Sequence, residues 1–226
     1  MRSKPLDPNI RRRLGLALAA AALLVAWDLP PLLPLRILVV VFHEAGHALT
    51  ALLTGGEVVS VTVSPDEGGL TVTRGGLHLL VLNGGYLGSL LAGIALLRLS
   101  RSDGRGRVVL GLLGLVLGAS ALAWFRPVLS FGFLYAAVTS VGMVALAARA
   151  RPVLADWLVR IVGLFSVMYA ALDVRDDVLR HGLLAGSVPS DAAMLAERTG
   201  VPALLWGLGW LVVGGLLLVR LRRWVF

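Results

Sequence analysis

Seven apolar segments, at about residues 13–29, 35–54, 77–98, 107–125, 129–149, 153–173 and 201–220, dominate this chain of 226 residues. Each is close to the ~20 apolar residues that carry an α-helix across a bilayer. In lipid every backbone N–H and C=O must be satisfied internally, so segments of this length admit helices and little else. Composition agrees: 58% of residues are hydrophobic and 15% are charged, against roughly 45–50% and about a quarter in a soluble domain. The predicted fold class is an all-α polytopic membrane protein, with six to seven transmembrane helices in one domain over residues 1–226. The first segment is short and is the one expected to lie at the interface rather than span. Pro30, Pro31 and Pro34, Arg126-Pro127 and Arg151-Pro152 punctuate three junctions.

The net charge of +8 comes almost wholly from arginine, with Lys4 as the one lysine. The arginines sit at the ends of apolar segments, where membrane proteins place anchors and topology signals. No basic face with interleaved aromatics is present, so no nucleic-acid partner is expected. If all seven segments cross, the basic residues divide evenly between the two sides and leave the orientation open. The absence of cysteine excludes disulfides, iron–sulfur clusters and thiol chemistry. Arg11-Arg12-Arg13 before Leu14–Trp27 has the outline of a signal peptide, but no small-residue cleavage site follows, and a retained helix is expected. Abundant Ala, Leu, Gly and Arg beside a single Lys points to a bacterial plasma membrane, with the lipid bilayer as surroundings.

Ionisable groups are costly in lipid and mark function. Two of the four histidines fall in His43-Glu44-Ala45-Gly46-His47, inside the apolar run from Arg36 to Leu53. Side chains four apart share one helical face. This His-Glu-x-x-His pattern lets both imidazoles reach one Zn2+ ion, with Glu44 placed to take a proton from a water held at the metal. Ala45, Gly46, Ala48 and Ala51 let a second helix approach closely. A catalytic zinc takes three protein ligands. His78 starts a span and His181 lies in a polar stretch, so both read as interfacial. Asp173 closes the strongly apolar run Leu164–Leu172 and is the preferred third ligand. Asp177 is the alternative; it and Asp176 lie four and three residues beyond Asp173, on roughly the same helical face as that residue. Asp28 and Asp156 read as boundary residues.

Residues 57–74 interrupt the helical pattern. Val59, Val61 and Val63 alternate with polar residues, Pro65 to Gly69 is a turn by composition, and Leu70 to Thr73 resumes the extended pattern. The reading is a β-hairpin insert between the second and third segments. It is either a surface ornament or an edge strand that pairs with an extended substrate backbone beside the site. Residues 175–200 form a polar loop or an interfacial helix pair, with Ser190 as the N-cap of a helix starting at Asp191. In the third segment, Asn83, Tyr86 and Ser89 lie among glycines. Asn83 and Ser89 are candidates for supporting the substrate or its oxyanion, and close helix packing is the competing role.

Taken in order, these residues resemble the site-2 protease family of intramembrane zinc metalloproteases, and within it the compact bacterial branch without a PDZ domain. Phe42 to Ala48 is similar to the family's first zinc motif, and a short β-region follows. Gly85 to Ser89 is similar to its next helix motif. Leu172-Asp173 resembles the distal Leu-Asp-Gly motif that supplies the third ligand, with Val174 in place of the glycine. Phe165 and Met168 stand where the family usually has asparagine and proline. Ser190-Asp191-Ala192-Ala193, Thr199 to Pro202 and Trp206 to Trp210 resemble the C-terminal pattern of the compact branch. The resemblance implies a three-helix core carrying the site. It also implies a zinc metalloendopeptidase that hydrolyses peptide bonds of transmembrane protein or peptide substrates, such as anti-sigma factors or signal-peptide remnants. The alternative is a catalytically silent homologue acting as a membrane scaffold or chaperone.

Overall fold

The computed structural model describes residues 8–102, 104–176 and 190–225. It is 77% helical. In chain order the elements are α1 (Pro8–Val25), a 3-10 turn (Pro30–Leu32), α2 (Leu33–Leu53), β1 (Glu57–Val63), β2 (Gly69–Arg74), α3 (His78–Leu99), α4 (Gly106–Trp124), α5 (Phe131–Arg149), α6 (Pro152–Asp176), α7 (Asp191–Thr199) and α8 (Ala203–Val225). Among the described residues, six helices are long and apolar enough to cross a membrane: α2, α3, α4, α5, α6 and α8. The apolar part of α1 is shorter, Leu14–Val25. Its inner face packs through Leu16 against Leu90, Ile94 and Leu97 of α3 and Leu164 of α6.

The fold is layered by burial. The apolar windows of α2, α3 and α6 are 50%, 56% and 61% buried, against 33%, 22% and 17% for α4, α5 and α8. The inner three therefore form the core, and the outer helices present leucine and valine to the surroundings. Glycine makes the inner contacts possible. A Cβ at Gly46 would run into the backbone of Gly84, and one at Gly88 would lie 2.7 Å from Gly46 Cα, so α2 and α3 cross backbone against backbone. Gly93 and Gly163 do the same for α3 and α6. Trp27, ahead of α2, stacks on Phe165 of α6 at 4.6 Å between centroids.

Buried polar groups at helix ends are matched. Asp156, 2% exposed, accepts from Gly104 N at 2.8 Å and Gly106 N at 2.7 Å, and so caps the start of α4. Arg160 donates to Ser100 O at 2.9 Å. An unpaired charge at either position would be strongly disfavoured in lipid.

The hairpin forms as expected, antiparallel, with Val61 opposite Thr71 and Val63 opposite Gly69. It lies along α2 rather than at the periphery. At its tip Arg36 Nε is 3.0 Å from Glu67 Oε1. At its base Leu77 N donates to Thr54 Oγ1 at 3.0 Å. Arg36 and Thr54 are about 27 Å apart along a helix rising 1.5 Å per residue, so the hairpin reaches through the depth that α2 spans. Its backbone must then be paired. β1 bonds β2 on one edge and meets Phe125 on the other through an isolated bridge at Val61, where Arg126 N donates to Val61 O at 3.2 Å. β2 has β1 as its sheet neighbour.

Candidate metal centre

His43 and His47 project from the middle of α2, where the helix is buried between α3, α6 and the hairpin. Ser190 caps α7 by accepting from Ala193 N at 3.2 Å, which sets Asp191 at the first helical position. Three ligand atoms converge there. His43 Nε2 and His47 Nε2 are 3.0 Å apart. Asp191 Oδ2 is 3.1 Å from the first and 3.2 Å from the second. Two adjacent ligands on a tetrahedral zinc with bonds of about 2.0–2.1 Å lie about 3.3 Å apart, so the triangle has the size of one face of such a tetrahedron.

Proton bookkeeping favours a cation. His47 Nδ1 is 2.7 Å from Val81 O. A carbonyl only accepts, so Nδ1 carries the proton and the neutral ring turns the Nε2 lone pair toward His43 and Asp191. Asp191, 8% exposed, brings its carboxylate to the same point. A buried anion and a converging lone pair are the donor set of a divalent metal site. Space is reserved as well: a Cβ at Gly85 would fall on the Nε2 atoms of both histidines, so the bare backbone of α3 keeps that hollow open. These residues fit a metal ion.

Tyr86 closes one side, edge-on to His43 at 4.7 Å between centroids and packed on Trp210 of α8 at 4.3 Å. On the other side Glu44, 4% exposed, faces the hairpin. Thr71 Oγ1 lies 2.6 Å from Glu44 Oε2.

The comparison with known families matches residues 16–220 to the Peptidase M50B-like family. The chain belongs to this family. No curated protein and no solved structure gives a match. Membership in the M50B-like family agrees with the site-2 protease resemblance and points to a membrane-embedded protease. His43, His47 and Asp191 lie close enough to bind a metal, as a typically metal-dependent family requires.

The other expected site residues stand elsewhere in this M50B-like chain. Asp173 stands near the end of α6, and among the described residues the group whose ligand atoms come together is His43, His47 and Asp191. Asp177 lies outside the described residues, as does His181. Asn83 donates through Nδ2 to Leu79 O at 2.8 Å and accepts from Trp210 Nε1 at 2.7 Å, which ties α8 to α3. Ser89 is buried and donates to Tyr86 O at 3.1 Å, while its backbone oxygen accepts from Ser166 Oγ at 2.7 Å. These bonds match the packing role set beside catalysis for both residues. Sequence reasoning recognised Asp191 as part of a motif and did not place it beside His43 and His47, where its carboxylate lies. Locally Asp191 reads as the start of a helix capped by Ser190, and nothing local in the sequence ties that helix start to His43.

Proposed function

We propose that this chain is an intramembrane zinc endopeptidase of the plasma membrane, cutting peptide bonds in transmembrane proteins or peptides. The observation that carries the reading is the triangle of His43, His47 and Asp191 with Glu44 one residue from the first histidine. The three would hold the ion. When bound, zinc supplies Lewis acidity that polarises a carbonyl and acidifies water. Glu44 takes the proton of the attacking water and delivers it to the leaving amine. The substrate backbone, unwound near Glu44, adds to β2 on the side away from β1. Burial of the site among α2, α3 and the hairpin restricts water to the supply that hydrolysis uses.

The test is metal stoichiometry joined to cleavage. In detergent-purified protein we expect about one zinc per chain, lost in His43→Ala and in Asp191→Ala and kept in Asp173→Ala. A pool of transmembrane peptides read by mass spectrometry should be cut by the wild type. Glu44→Gln should keep its zinc and lose cleavage by 10²-fold or more. Zinc without cleavage would sink the protease reading in favour of a silent scaffold. Loss of zinc in Asp173→Ala but not Asp191→Ala would return the third ligand to α6.

A further inference from the structure

The hairpin does more than lie beside Glu44. Thr71 Oγ1 is 2.6 Å from Glu44 Oε2 and 3.1 Å from the main-chain oxygen of the same residue. A hydroxyl has one proton to give, and the shorter contact to an anionic oxygen is the stronger. Two residues earlier on the same face of β2, a Cβ at Gly69 would overlap Glu44 Oε1 and lie 2.9 Å from Val40 Cγ1. The strand therefore grips one carboxylate oxygen and is shaved to glycine where it passes the other. Its own position is fixed three ways: by Arg36 and Glu67 at the tip, by the Val61 bridge to Phe125 in the middle, and by Thr54 at the base.

We infer that Thr71 is a positioning residue for Glu44, holding Oε2 by a hydrogen bond so that Oε1 is presented for proton transfer, with Gly69 leaving room for that carboxylate orientation. The inference rests on Glu44 acting as the general base. A free glutamate side chain samples several rotamers, and misplacement of a reacting group by about 1 Å costs up to ~10²-fold in rate. The α2 positions one turn from Glu44 offer no hydroxyl or amide to do this, because residues 40, 41, 47 and 48 are valines, a histidine and an alanine. The hairpin supplies from outside the helix what the helix lacks.

The experiment uses the full-length, zinc-loaded protein and the peptide from the transmembrane pool that is cut fastest. Thr71→Val keeps the volume and removes the donor. It should lower kcat by roughly tenfold to a hundredfold, with KM, zinc content and melting temperature unchanged. Thr71→Ser should recover most of the loss. Gly69→Ala should also lower kcat, because the tip of the Glu44 side chain can yield without unfolding the chain; it carries the test if the valine variant does not fold. A second readout needs no turnover. The infrared carboxylate stretch of Glu44, isolated by 13C-glutamate labelling and subtraction of Glu44→Gln, should move in Thr71→Val and return in Thr71→Ser. Wild-type turnover with neither kcat nor the band responding at position 71 overturns the positioning role. A responding band in a protein that cuts nothing keeps the contact and fails the protease reading instead.

Discussion

Two sides of the candidate metal centre are built differently. On the α2 side, His43, Glu44 and His47 share one buried helix, crossed backbone to backbone by α3 and flanked by the hairpin. On the α7–α8 side, Asp191 comes from a nine-residue helix whose neighbour α8 has only 17% of its apolar window buried. Nearest the site α8 is held by Trp210 against Tyr86, its indole N–H on Asn83, and Gly214 near Leu90, with Leu217, Leu218 and Leu221 packing further along. The difference teaches that close packing is concentrated around the His-Glu-x-x-His helix. Asp191 arrives on a less deeply packed pair of helices.

That comparison can be broken most severely at its closely packed side. Gly46→Ala forces a methyl group into the Gly84 backbone, which cannot rotate away. Overpacking of this kind costs up to about 3 kcal/mol or more, and we expect loss of folded protein on size-exclusion chromatography. Gly85→Ala is the more selective cut: zinc content should fall toward zero, with helical circular dichroism largely kept, because the methyl fills the hollow between the histidines. On the α7–α8 side, Asp191→Ala should weaken zinc in chelator competition by more than the 10–100-fold that loss of an outer hydrogen-bond partner costs, with little change in melting temperature. Equal melting losses in Gly46→Ala and Asp191→Ala would contradict the asymmetry. Trp210→Phe removes one buried hydrogen bond, worth about 1 kcal/mol, and should increase hydrogen exchange in α8 but not in α2. The smallest effect is expected of Glu67→Gln. Its partly exposed ion pair with Arg36 is worth at most about 1 kcal/mol, seen as a small drop in melting temperature.

Most of the fold was legible because lipid leaves so few options. The apolar lengths gave every long helix to within a few residues, and the short first segment is the helix that falls below spanning length. The His-Glu-x-x-His pattern was legible for a related reason: its members are local, and helical periodicity alone puts them on one face. The hairpin was legible as a hairpin from β-branched alternation, but its seat on Glu44 was not, since strand pattern carries no address. Asp173 drew attention through its apolar flank. A flank reports depth in the membrane and says nothing of azimuth around the helix, and azimuth decides what an acid faces. Asp191, 148 residues from His43, could be joined to it only by the packing of α7 against α3 and α8. Asn83 and Ser89 illustrate the same limit: polarity in a span marks a partner, and here the partners are neighbouring helices.

The separation between His43 and Asp191 also has a meaning in time. A ribosome adding about 5–20 residues per second needs roughly 7–30 s to travel from one to the other. Throughout that interval the nascent chain already carries Glu44 and two imidazoles in its second apolar segment. A two-histidine site binds zinc weakly compared with one closed by a carboxylate. During synthesis, therefore, the triangle of His43, His47 and Asp191 closes only after α3 and α6, which pack against α2, have been made.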